Sequence, residues 1–446
     1  MPQWVDRTPK WIVVAAVTAC MLGAGASAAA ADSGAAASAS RAKGKIHKAW
    51  PHKKDGRKPH KRLARKLAKQ IGPIRVGKRH RLATTTRAEA RATTPASPDV
   101  VDTGQSGEGR LLLVRSFDIP KDDPLYADLS NYSWTYDNAL ATIGFVADKD
   151  QSPARQLLDQ LSALQNGDGS FNFAFDVMSG DSSKVVRSGA VAWVGLAGTA
   201  YAEKYGGDTY DKMIAGTLEY LLKLRNNDGL IRGGPDVSWV STQHNLLASE
   251  LLREAEQLSG SHKFGSFTAK SLKAARVDLN TAINKQLLVS EGATAHFREG
   301  QGDPRIPIDV QALGTLYLDS LTNPLATKVG AFILEPGFYV PPRVTEAAPE
   351  ELSGLKPFLD PGSPDLIWSE GTIESQFALT RIGQPKTYVK AAVDSLATTM
   401  QPDTVGPIGA DRQSNTSWGD YQTWPTSAAA SWLLMLQLEG DVTLFD

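Results

Sequence analysis

From Tyr132 onward, apolar positions recur every three or four residues, and the recurrence predicts one helix after another. Helices are expected over 134–146 and 153–165, the second with Pro153 near its start. A dense turn signal at 165–170 closes this pair. A second pair over 187–205 and 210–225 ends in a similar signal, Asn226, Asn227, Asp228 and Gly229. The likeness of 161–169 to 221–229 is an internal repeat of about sixty residues, the size of a helical hairpin with its loop. Further pairs follow over 241–258 with 264–288, 307–321 with 324–334, and 369–382 with 386–400. A Pro-rich stretch from 336 to 364 is expected as a long loop over one face. The helix over 425–438 then lacks a partner, which is expected from 111–129. Any strands should be short. Six hairpins point to an all-α fold, an (α/α)6 toroid, with a solenoid of helix pairs as the alternative.

Charge divides the chain before this domain begins. The formal net charge of the 446 residues is zero, yet residues 41–91 hold 19 Lys and Arg against two acids. Three regions are therefore expected: a signal peptide over 1–31, a disordered basic arm over 32–107, and the toroid over 108–446. Arg7 and Lys10 precede an apolar run over 11–22, with small-residue cleavage sites near Ala31. No twin arginine is present, so the general secretory route is expected. An uncleaved signal anchor, or a lipoprotein through Cys20, is the lesser reading. Within the arm, Leu63, Leu67 and Ile71 stand four apart among Lys61, Arg62, Arg65, Lys66 and Lys69. That spacing predicts a basic amphipathic helix, retained on anionic envelope polymers or lipids in a salt-sensitive way, or else a solvated tether. Without interleaved aromatics, specific nucleic-acid binding is not expected.

Chemistry-bearing residues gather where the predicted inner helices begin. The successive sets are Trp134, Tyr136 and Asp137; Arg187 and Trp193; Asp236, Trp239, Gln243 and His244; Asp309 and Gln311; Trp368 and Glu370; Tyr421 and Trp424. Aromatic rings stack on pyranose faces while carboxylates, amides and a guanidinium fix hydroxyls, so the sets suit a sugar-binding groove. Glycosidic hydrolysis needs two carboxyl groups, one protonated. Asp137 and Glu370 are the expected pair. Trp368 would desolvate Glu370 and favour its acid role, leaving Asp137 as base with Asp309 and Asp236 in reserve. Each acid also has a structural explanation, since carboxylates favour helix N-termini. His244 could equally be a buried, hydrogen-bonded histidine, and Trp193 and Trp432 sit in apolar runs typical of core. His244, His262 and His296 lack metal-ligand spacing, the Asn/Asp-Gly loops lack an EF-hand's acids, and Ser188 lacks a nucleophile-elbow frame. No cofactor or metal is expected, and the protein is expected to be a monomer.

The runs Ser133 to Leu140, Arg187 to Trp193, Ser241 to Asn245, Pro307 to Leu313 and Trp368 to Thr372 resemble secreted bacterial proteins of the six-hairpin glycosidase-like superfamily. The resemblance spans about 111–445. It implies the (α/α)6 toroid and action on carbohydrate. Terpene-cyclase toroids are set aside for want of aspartate clusters, and epimerases of this shape because the domain has few histidines. Three activities stay open: a glycoside hydrolase, a non-catalytic glycan-binding or scaffold toroid, and a polysaccharide lyase using His244 or Tyr136 as base with Arg187 neutralising a uronate.

Overall fold

The computed structural model describes residues 59–72, 110–416 and 419–446. The expected signal peptide, Cys20 and most of the basic arm lie outside them. Among the described residues thirteen α-helices carry the fold: α1 (Pro59–Ala68), α2 (Tyr126–Leu129), α3 (Thr135–Ala147), α4 (Gln151–Ala163), α5 (Ser188–Tyr205), α6 (Asp211–Lys223), α7 (Thr242–Leu258), α8 (Ala269–Gln286), α9 (Ile308–Ser320), α10 (Leu325–Phe332), α11 (Ser369–Arg381), α12 (Thr387–Thr398) and α13 (Ser427–Gln437). Contacts run α3 to α5 to α7 to α9 to α11 to α13 and back to α3, which closes a ring. Helices α4, α6, α8, α10 and α12 each pack outside the inner helix that precedes them.

Burial follows from side-chain pattern. Every residue of α3 is buried, as expected of a helix surrounded by others. Outer helix α4 buries Ala154, Leu157, Leu158 and Leu161, the single stripe of a helix with one wet face. The sixth outer position is filled unexpectedly. Helix α1 packs on α13 and α3, where 111–129 had been expected to supply the partner. Residues 111–117 instead run extended, with Val114 bridged to Ile71 and Phe117 to Thr426. The stretch expected as a surface-seeking part of a disordered arm is thus an element of the toroid. Leu63 and Leu67 join the main core, because the face of α13 is an apolar surface already in place. Lys61 reinforces the docking through buried Asp148, at 3.1 Å, and Lys66 through the Gln401 carbonyl.

Strands are few and paired in twos. β1 (Tyr132–Trp134) pairs with β2 (Ala174–Asp176), β3 (Leu288–Glu291) with β4 (Thr294–Phe297), β5 (Tyr339–Thr345) with β6 (Ala348–Leu355), and β7 (Ser414–Thr416) with β8 (Gly419–Tyr421). The third pair corrects the long-loop expectation for 336–364. Pro341 and Pro342 disguise that hairpin, whose register shifts between Val340 and Arg343. The sixty-residue repeat is a repeated turn. Asn166 and Asn226 accept from Gly169 and Gly229 and donate to the carbonyls of Ser170 and Leu230. Both glycines have positive φ, +90° and +86°.

A second repeat sets the inner helices. Four residues past the N-cap, Asn138, Asn245, Gln311 and Thr372 donate to the N-cap carbonyls of Trp134, Ser241, Pro307 and Trp368, at 2.7 to 3.0 Å. The same side chains accept from the backbone N–H groups of Val114, Ile231, Phe297 and Leu355. Each clamp ties an extended segment to the first turn of its helix and fixes which residues of that turn face the ring axis. Gln311 is therefore a clamp rather than a groove residue.

Candidate active site

Counting from each N-cap, the second positions of the six inner helices are Tyr136, Gly189, Gln243, Asp309, Glu370 and Ala428. The Tyr136 hydroxyl donates to Glu370 Oε1 at 2.5 Å, and Gln243 Nε2 donates to Asp309 Oδ2 at 3.3 Å. One turn deeper stand Trp193, Glu374 and Trp432. The two indoles meet edge to face at 6.0 Å, and Trp432 Nε1 donates to the Tyr136 hydroxyl at 3.1 Å. These tryptophans form a solid floor beneath the first-turn residues.

Above that floor is a small cavity walled by Phe117, Trp134, Tyr136, Asp137, Trp368, Glu370, Gly409, Thr426 and Ala428. It has room for about one water molecule. Both expected carboxyl groups, Asp137 and Glu370, share it with three of the expected aromatics. Burial pushes Glu370 up to about 8; the hydroxyl of Tyr136 opposes the shift, and the charges of Asp137 and Asp309 add to it. Burial likewise raises Asp137 to about 7, against a hydrogen bond from Ser116. Glu374 is driven well above the ordinary range by burial and then by Asp309 and Glu370. Asp137, Asp309 and Glu374 thus each lie within electrostatic reach of Glu370. At neutral pH Glu370 holds its proton, while Asp137 is poised near half ionisation.

The remaining expected residues form two neighbouring groups. In the first, Arg187 pairs with exposed Asp236 at 2.8 Å and lies 5.8 Å from the Trp239 ring centre. Trp239 in turn approaches His244 at 5.6 Å. The Ser188 hydroxyl donates to the Arg232 carbonyl and takes the His244 Nδ1–H at 2.9 Å, leaving Nε2 as the lone-pair nitrogen. Burial, then the charge of Arg187, lowers His244 to about 3, so it is neutral. Neither reserve base, Asp236 nor Asp309, lines the cavity. The second group is Tyr421, 6.3 Å from Trp368, and Trp424, which reaches Phe117 at 5.7 Å.

Sequence reasoning missed Glu374, although its spacing of four from Glu370 places both on one helix face. It also missed Ser116, Phe117 and Gly409, which reach the site only through tertiary contacts. Among the described residues, no group of three or more His, Cys, Asp or Glu could hold a metal ion.

No family model and no curated protein sequence matches this chain. Solved structures do share its fold. An α-amylase from Clostridium perfringens aligns with a TM-score of 0.52 at 10% identity, covering 77% of this chain and 95% of that one. A wild-type glycosidase aligns at 0.54 and 13% identity, covering 87% of this chain and all of that one. A variant glycosidase in complex with glucose gives 0.53 at 12%, with the same coverage. The chain therefore shares the helical fold of these glycosidase structures, and at these identities the likeness is one of architecture.

Proposed function

We propose that this protein is a secreted carbohydrate-active protein and, more finely, a glycoside hydrolase. One observation carries the reading: two carboxyl groups with raised pKa values share a buried cavity with Trp134 and Trp368, where the N-termini of three inner helices, α3, α11 and α13, meet. Glu370 is the acid, since burial keeps it protonated at neutral pH and able to protonate a leaving oxygen. Asp137 is the base or nucleophile in its ionised fraction. Tyr136 orients Glu370, and Trp432 orients Tyr136. Trp134 adds support: its indole N–H is buried without a hydrogen-bond partner, a donor available to a sugar hydroxyl. The likeness to glycosidase folds agrees with this chemistry.

The water-sized cavity favours a second reading, a non-catalytic glycan-binding or scaffold toroid. The lyase reading has less behind it. Arg187 is held by Asp236, His244 is off the cavity wall, and Tyr136 is kept protonated by burial and by Glu370. A panel of polysaccharides separates the three. New reducing ends without unsaturated-product absorbance support hydrolysis, that absorbance supports a lyase, and binding without products leaves the scaffold. Full turnover by Glu370→Gln or Asp137→Asn would overturn the assigned roles.

A further inference from the structure

The mouth of the cavity is held differently from the rest of the core. Phe117, Ile119, Leu129, Trp134, Ala174 and Trp424 form a hydrophobic cluster separate from the main one. Its rings meet in a chain: Trp424 to Phe117 at 5.7 Å, Phe117 to Trp134 at 5.2 Å, and Trp134 to Phe173 at 5.8 Å. Over this cluster runs the segment 119–130, which includes α2. Between Ile119 and Leu129 no side chain is buried, and only Asp123, Leu125 and Tyr126 are even half-buried. A segment with so few buried contacts opens at a small fraction of the global unfolding free energy. Its middle is tied to the far side of the mouth by the Trp424 indole N–H, which donates to Asp123 Oδ2 at 2.9 Å. Its ends are fixed by backbone bonds, Asp118 N–H to the Pro425 carbonyl and Val177 N–H to the Asn131 carbonyl.

We propose that residues 119–130 are a lid latched by the Asp123–Trp424 bond, and that lifting it uncovers Trp134, Phe173 and Trp424 as a stacking platform for a saccharide entering the carboxyl-lined cavity. The platform rests on the carbohydrate reading above; the lid does not. Two observations meet in it. The cavity beneath is too small for a sugar ring, and the aromatic cluster beside it is distinct from the main core, so its opening need not break the packing of the inner helices. Aromatic rings packed edge to face and tilted against one another, with an indole N–H at Trp134 that lacks a hydrogen-bond partner, offer the apolar surface and the donor that a pyranose face and its hydroxyl rim require.

Hydrogen-exchange mass spectrometry on the intact chain tests the lid. Residues 119–130 should exchange far faster than α3. Asp123→Ala, which removes the acceptor, and Trp424→Phe, which keeps a ring but removes the N–H, should each speed that exchange about tenfold and leave α3 unchanged. Asp123→Ala should also bind maltohexaose, cellohexaose or mannohexaose about tenfold more tightly than the unsubstituted chain, because less opening free energy opposes binding. Equal exchange of 119–130 and α3, or latch variants with unchanged exchange, overturns the lid. Faster exchange with no gain in affinity for any of the three hexasaccharides overturns the platform. Tighter binding without hydrolysis keeps both and sinks the hydrolase assignment alone.

Discussion

The two ends of the helical ring treat buried charge in opposite ways. At the far end, Arg253 meets Glu250 through two bonds of 2.8 and 2.6 Å, and Glu250 also accepts from the Phe445 backbone N–H at 2.6 Å. Arg381 there joins Glu439, Asp446 and the Val442 carbonyl. Those pairs lock the C-terminal segment across the base of the ring. Glu254 is the exception at that end, pushed up by burial and by Glu250, and the Thr199 hydroxyl bonds it. At the cavity end, Asp137, Glu370 and Glu374 have hydroxyls and one another for neighbours, and all three are raised. Pairing with arginine makes a carboxylate a structural brace, whereas burial without a cation keeps it near neutral and reactive.

The largest test of this contrast is Glu370→Gln. It should lower hydrolysis at least about a hundredfold, measured as reducing ends released, and leave the folded state intact by circular dichroism. Normal activity would make the cavity end as structural as the base. At the base, Arg253→Met should cost about 3–5 kcal/mol in denaturant melts, because it strands Glu250 in the interior. A loss below about 1 kcal/mol would erase the difference between the two ends.

The pH dependence of stability sharpens the comparison. Glu370 and Asp137 have folded-state pKa values of about 8 and 7, above their ordinary 4.5 and 3.8. The folded state therefore binds more protons than the unfolded state between these limits, and stability falls as pH climbs from about 4 past 8. The loss from Glu370 is on the order of 4 kcal/mol between pH 5 and 9 and should disappear in Glu370→Gln, leaving the part due to Asp137, as read by melts at pH 5, 7 and 9. A rise in stability over that range would contradict the burial argument. Leu67→Ala, a fully buried truncation on α1, should cost about 2–3 kcal/mol and leave the pH dependence unchanged. A negligible cost would return α1 to the role of a free tether.

Much of the architecture was legible in periodicity alone. The apolar stripes, the repeated Asn-to-Gly turns and the aromatic-plus-acid helix starts marked the hairpins and placed Asp137 and Glu370 at helix N-termini. The residues hidden from that reading share one cause. Helix α1 carries a basic stripe that reads as solvated, and only the apolar face of α13 turns Leu63 and Leu67 into core. Pro341 and Pro342 conceal a hairpin whose pairing is non-local.

What the sequence determined by itself was five of the six hairpins and the last inner helix, their order, and which residue types begin each inner helix, because side-chain period acts over a few neighbouring residues. Only the tertiary structure decided that Tyr136 reaches Glu370 across 234 positions, that Asp236 is spent on Arg187, and that the site is water-sized. The same is true of proton affinity. An isolated Asp or Glu titrates near 4, and it is burial at the ring centre, assembled from helices far apart in the chain, that carries Asp137 and Glu370 to neutral pH.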